Sequence, residues 1–238
     1  MRYVGVAAML ALLAACTRES APPDRGPASP TPAPGVAATI SGTVRLAGEP
    51  PAPTRIRMTG DCAGEAEAGD LKVREGRVEN AFVYVREGLG QVVFERPQAT
   101  VSIDQRGCMF APRVVGVQTG QTLEFLNSDP TLHNVHTTPA NSRAANFGLG
   151  VRGAKRPIRI DRAEVMVTVK CDVHPWMRAY VGVLDHPHFA VTGADGSFRL
   201  GGLPPGEYVL ESWHERFGRK SAAVKVGAGE SAEVEIGY

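Results

Sequence analysis

Apolar residues recur at every second position over most of this 238-residue chain, and that period limits the fold more than any other feature. "TISGTVRL" puts Ile40, Val44 and Leu46 on one face, "NAFVYV" alternates apolar with aromatic side chains, and "SAEVEI" sets Val234 in phase with Ile236. Successive side chains point to opposite faces only in extended backbone, so a period of two spells strands with one face inward. No 3.6-residue period competes beyond the first residues, and 27 glycines and 18 prolines cut the runs short. The expected fold class is all-β, built of sandwiches.

The first residues are of another kind. "MRYVGVAAMLALLAAC" sets Arg2 before an apolar run from Val4 to Ala15, too short to span a bilayer and so read as a signal peptide over 1–15. Leu13-Ala14-Ala15-Cys16 resembles a bacterial lipobox, which implies lipidation at Cys16; an ordinary signal with an incidental cysteine is the alternative. Residues 16–37 hold six prolines and almost nothing apolar, so they form no core and read as an extended tether of about 3 Å per residue. A lipoprotein of this kind belongs to the bacterial cell envelope, facing the periplasm. Thr17 after the cysteine offers no aspartate-type retention signal, which leans toward the outer membrane. With 26 basic against 25 acidic residues, bulk charge offers no partner surface to nucleic acid.

Chemistry concentrates in "CDVHPWM", residues 171–177. Cys171 shares its parity with Val165, Val167 and Val169, and Met177 with Ala179, Val181 and Val183, so two core strands enclose the loop 172–176. Arg178 and Tyr180 then turn outward. A thiol, an imidazole and a thioether lack one donor, and "NSDPTLHNVH", just after the strand "TLEFLN", offers His133 or His136. Three positions apart on extended chain, those two rings point to opposite faces and cannot serve one ion together. Two imidazoles, a thiolate and a weak methionine suit copper, whereas zinc rarely accepts a thioether. The bland reading is a buried thiol, a loop histidine and a core methionine.

With these motifs in view, residues from about Ala99 to His186 resemble the cupredoxins, and among them the amicyanins, in the Cys-x-x-His-x-x-Met spacing, the upstream His-Asn-Val-His and the opening "VSIDQRGCMFAPRVVGVQTGQTLEFLNSD". The resemblance implies a Greek-key β-sandwich over 98–186 with one type 1 copper site, its ligands His133, Cys171, His174 and Met177. It selects His133 over His136, and gives Asn134 the role of joining the two ligand loops near the sulfur.

"AVTGADGSFRLGGLPPGEYVLESW", residues 190–213, is similar to the carboxypeptidase regulatory-like module, a small transthyretin-type β-sandwich, with its Asp195-Gly196 and Pro204-Pro205-Gly206 turns and Tyr208. That family's opening strands are matched by "ISGTVRLAGEPP" and "NAFVYV", so the module is expected to be split, as 38–97 and 187–238, around the copper domain. The alternative is that the N-terminal segment adds strands to the cupredoxin. Cys62 and Cys108 remain; in an oxidising compartment a disulfide between them is the expectation, worth about 3 to 4 kcal/mol, and a free thiol in a flexible acidic loop is the alternative. His186, His188 and His214 gather at the domain junction, where His214 could approach the other two; packing there is preferred to a second metal site.

The function these readings imply is a membrane-tethered, periplasmic type 1 copper electron carrier cycling Cu(I)/Cu(II). It is not an enzyme, since oxidases and reductases add a second copper site. His174 is expected to present its ring edge, rimmed by Pro175 and Trp176, to a redox partner such as a c-type cytochrome or a dehydrogenase. Copper binding and delivery without a carrier role is the alternative, and adhesion through the transthyretin-like module is a third possibility.

Overall fold

The computed structural model describes Met1 and residues 37–238; the signal peptide, Cys16 and nearly all of the tether lie outside the described residues. The protein is all-β, with a single 3-10 turn, Gly60–Cys62, among the described residues. No helix there is long and apolar enough to cross a membrane.

Four larger sheets make two sandwiches. The first comprises a four-stranded sheet, Lys155–Ile158, Leu123–Asn127, Val101–Arg106 and Met109–Ala111, and a five-stranded sheet, Asn146–Leu149, His133–Thr138, Glu164–Lys170, Arg178–Leu184 and Val114–Gln118. Their inward residues share one core, including Ile103, Leu123, Phe125, Val135, Val167, Val169, Met177 and Val181. Parity carries most of this: Met177, Ala179, Val181 and Val183 are all fully buried. It breaks at Val165, where the register against Arg178–Leu184 shifts between Glu164 and Val167. Val165 and Met166 therefore pack on the junction between the sandwiches. Tyr180, expected outward, leaves its own core but packs on Trp213 of the second sandwich, ring centroids 4.9 Å apart.

The second sandwich takes its strands from both sides of the first in sequence. Ala38–Arg45 lies between Ser197–Leu203, antiparallel, and Ser231–Gly237, parallel. The facing sheet orders Phe189–Val191, Phe82–Glu87, Gly206–His214 and Gly218–Val226. Phe82–Glu87 is buried on both faces at its start: Val83 and Val85 enter this sandwich's core, while Phe82 and Tyr84 enter the junction. The close approach there depends on two glycines. Gly116 and Gly182 face each other across parallel strands, and a Cβ on either would overlap the Phe82 ring. The buried pair Arg113–Glu215 and the Glu211 carboxylate, which accepts from Tyr84, Arg86 and Arg219, complete the junction.

One hairpin belongs to neither sandwich. Among the described residues, Arg55–Met58 pairs only with Gly64–Glu67, and none of the hairpin's residues joins a core cluster. Its base is fixed where Asp70 accepts from Thr54 Oγ1 and Arg216, both at 2.6 Å, and its tip by the Cys62–Cys108 disulfide, Cα atoms 6.0 Å apart. This strap lies across the end of the first sandwich that carries the loop 172–176.

Candidate metal centre

Three buried donors converge at that end. His133 opens the strand His133–Thr138 on its core face, Cys171 directly follows Glu164–Lys170, and His174 sits in the tight loop between Cys171 and Met177. The loop is closed by backbone bonds, Met177 N–H to the His174 carbonyl at 3.0 Å and Cys171 N–H to the Met177 carbonyl at 3.3 Å. His133 Nδ1 and His174 Nδ1 stand 2.9 Å apart, Cys171 Sγ is 3.8 Å from His174 Nδ1, and one donor atom from each residue lies within 4.8 Å of the others. Met177 is fully buried in the same core cluster as Cys171. His136 points the other way, to Asp172 at 2.8 Å on the outer face, and takes no part.

Asn134 ties the segments carrying His133 and Cys171 together. Its N–H donates to Cys171 Sγ at 3.3 Å, its Oδ1 accepts from Asp172 N–H at 3.1 Å, and its Nδ2 donates to Asn146 Oδ1 at 2.7 Å. Gln105 Nε2 in turn donates to the Asn134 carbonyl at 3.1 Å. Burial would raise the Cys171 thiol, but hydrogen bonds from His133 and from the backbone N–H groups of Asn134, His174 and Val173 outweigh it and hold the thiol below its ordinary range. Burial lowers His174, and the neighbouring His133 lowers it further.

The sequence reading missed Asp129. Its Oδ2 accepts from His133 Nε2 and from Cys108 N–H, both at 2.8 Å, and its Oδ1 from Gly107 N–H at 2.8 Å. A carboxylate on Nε2 fixes the tautomer and leaves the Nδ1 lone pair free for a metal. The available signal was its place four residues before His133, where Asn127 Oδ1 accepts the Asp129 N–H at 2.9 Å and sets the turn.

The strap corrects another expectation. His174 does not present its ring edge to solvent: it is 6% exposed, with Cys62 Sγ 3.4 Å from Nε2. Trp176 packs against the first core and donates Nε1–H to the Cys108 carbonyl at 3.0 Å, so it buttresses the disulfide. The segment around Cys62 is a paired hairpin, not a loose acidic loop.

Of the remaining histidines, His186 and His188 stack with ring centroids 6.0 Å apart, but His214 does not join them. His188 lies beside Val85 on the strand Phe82–Glu87, while His214 follows Trp213, which pairs with Phe82. That puts them about four residues, or about 13 Å, apart along one strand. His214 stacks on Phe217 at 4.8 Å, and His188 packs edge-on to Phe94 at 5.2 Å. Among the described residues, groups able to hold a metal occur only around His133.

The donors fit a copper ion: two imidazole nitrogens and one thiolate-prone sulfur are held together, one imidazole is oriented by a carboxylate, and a thioether residue lies in the adjoining core.

No protein family's sequence pattern matches the chain, and no curated protein matches it. Solved structures do, over part of it. The copper-containing nitrite reductase of Thermus scotoductus SA-01 aligns at 23% identity over 41% of this chain, with a TM-score of 0.34; the match spans 24% of the reductase. A purple cupredoxin from Nitrosopumilus maritimus aligns at 19% over 35% of this chain and 98% of its own, with a TM-score of 0.30. Amicyanin from Paracoccus versutus aligns at 19% over 42% and 96%, with a TM-score of 0.33.

Proposed function

We propose that this protein is a single-copper redox carrier of the bacterial cell envelope, held to a membrane by lipid on Cys16 and not itself an enzyme. The observation that supports this is the convergence of His133 Nδ1, His174 Nδ1 and Cys171 Sγ in a buried cluster. Copper bound there would supply one-electron chemistry between Cu(I) and Cu(II). The chain supplies the rest. Cys171 is readied as a thiolate by the hydrogen bonds around it, and Asp129 keeps His133 turned to the ion. The apolar core beneath excludes water and holds the donors in place through either oxidation state. The second sandwich is a carboxypeptidase regulatory-like platform on which the copper-binding sandwich is mounted.

A redox partner, such as a c-type cytochrome or a dehydrogenase, docks on the apolar rim of the ligand end. Leu132 and Val173, each directly before a ligand histidine, are 47% and 48% exposed, and Val151 in the adjoining turn is 67% exposed. Exposed apolar side chains of this kind suit a small, transient interface. One observation favours copper binding and delivery instead: the strap closes the His174 edge.

The visible spectrum after one equivalent of Cu(II) tests the proposal. An intense thiolate-to-copper band in the red, lost in Cys171→Ser and weakened in His133→Ala, is expected. A colourless protein that still binds Cu(I) would establish delivery, and no binding of either ion would overturn both readings. The anchor is tested separately, by the mass of the N-terminal peptide from membranes, which should carry acyl chains on Cys16.

A further inference from the structure

The metal centre leaves two sulfur atoms beside it unused. Cys62 Sγ stands 3.4 Å from His174 Nε2, and Cys108 Sγ lies within 4.8 Å of a carboxylate oxygen of Asp129 and a ring nitrogen of His133. The disulfide therefore bears on the outer nitrogens of both histidines, on His174 directly and on His133 through Asp129 Oδ2, which accepts from Cys108 N–H and His133 Nε2 alike. Both cysteines are buried, at 6% and 7% exposure, yet Cys62 sits on a hairpin that, among the described residues, pairs only with itself and joins no apolar core. Its tip is otherwise held by a hydrogen bond from Thr131 to Asp61 at 2.9 Å, and its trailing arm by one from Arg113 to the Ala68 carbonyl at 2.6 Å. A segment with so little apolar burial opens locally far more readily than either sandwich unfolds. The disulfide is the latch.

We propose that Cys62 and Cys108 form a second, redox-dependent site for Cu(I), adjoining the first. In the disulfide form the strap is shut over His174 and the site does not exist. An external dithiol gives two electrons and two protons to the S–S bond and becomes a disulfide itself, leaving two thiols. These take Cu(I) as thiolates and release their two protons to solvent. Soft thiolates select Cu(I), and the neighbouring imidazole and carboxylate stand ready as further donors. The metal's identity rests on the copper reading of the first centre, but the two sites fail separately.

Anaerobic titration of the full chain in detergent with Cu(I), against a chromogenic Cu(I) chelator, tests the proposal. It is run with the disulfide intact, and again after dithiothreitol treatment and desalting. The expected uptake is one equivalent in the disulfide form and two in the reduced form. Cys171→Ser, which keeps the disulfide, should take none when oxidised and one when reduced; the Cys62→Ser, Cys108→Ser double variant should take one in either condition. A reduced protein that takes up only one equivalent, or a second equivalent that survives in the double variant, would overturn the proposal. Should the double variant not fold, reduced Cys171→Ser answers the question alone, and uptake of none there is fatal. An oxidised protein that takes none, with reduced Cys171→Ser still taking one, supports this site and overturns the reading of the first.

Discussion

Asp129 gives the sharpest test of how the candidate metal centre is held. The Asn substitution removes the charge and keeps one acceptor oxygen, whereas three N–H donors converge on the native carboxylate, from His133, Cys108 and Gly107, each at 2.8 Å. The lowest-energy arrangement keeps the oxygen on His133 and Cys108 and turns the new amide toward Gly107, where two donors then face each other. That costs about 1–3 kcal/mol of folding stability. Metal affinity falls about tenfold, about 1.4 kcal/mol, because His133 stays oriented and loses only the carboxylate's charge. Asp129→Ala removes both acceptor oxygens, and with them all three bonds, and lets the His133 ring turn over, so affinity should fall about a hundredfold. The assay is competition with a chelator for Cu(II), alongside urea unfolding of the metal-free protein to separate lost stability from lost binding. If both variants bind as tightly as the parent, or if Ala is no worse than Asn, Asp129 does not position His133.

Other perturbations probe the remaining parts. His136→Ala should leave copper affinity and the visible band unchanged, whereas His133→Ala should weaken both, because only His133 faces the cluster; equal effects would refute the assignment by strand face. Gly182→Ala should push Phe82 out of its bay and lower stability by about 1–3 kcal/mol, with partial rescue by Phe82→Leu in a double-mutant cycle and no change in the copper spectrum. Burial would raise the Glu211 carboxyl, but Tyr84, Arg219 and Arg86 outweigh it and hold it below the usual range. Its folded pKa is thus depressed, so its contribution is present above the unfolded value and is lost as pH falls through the folded one. Thermal midpoints should drop on acidification below about pH 4.5 by more in the parent than in Glu211→Gln; parallel curves would show that the network does not stabilise the fold.

Much of the fold was legible because a strand writes its burial into alternate residues. The parities of Val167, Val169 and Cys171, and of Met177 through Val183, needed nothing beyond the local chain. The clustering of residues 171–177 was legible for a related reason: seven residues between two core strands cannot spread their side chains far. What failed to show was everything supplied from a distance. Periodicity says that Tyr180 leaves its own core, not that Trp213 waits on the other side. A shift of register, as at Val165, cancels parity without a mark in composition. The acidic stretch around Cys62 gave no apolar signal, because the strap is held by a disulfide and hydrogen bonds rather than by burial. His174 was therefore expected bare, and the segment that covers it lies more than a hundred residues upstream. Asp129 was overlooked since an acidic residue in a turn usually serves the turn alone.

The place of Ala38–Arg45 in the middle of its sheet has a consequence for how the protein is made. That strand leaves the ribosome early, yet apart from a single pairing of Arg45 with Arg77 its partners, Ser197–Leu203 and Ser231–Gly237, come last. The inserted sandwich has no such wait: every strand it needs lies between Val101 and Leu184. Its ends also meet, since Gln121 Nε2 holds the Ala99 carbonyl at 2.9 Å while Thr119 N–H holds the Leu184 carbonyl at 2.9 Å. Once formed, it takes residues 101–184 out of the loop between Ala38–Arg45 and Ser197–Leu203, roughly halving that loop and modestly lowering the entropy of its closure. Folding of the first sandwich thus eases its neighbour's closure, and a lesion in its core should leave Ala38–Arg45 unpaired for longer.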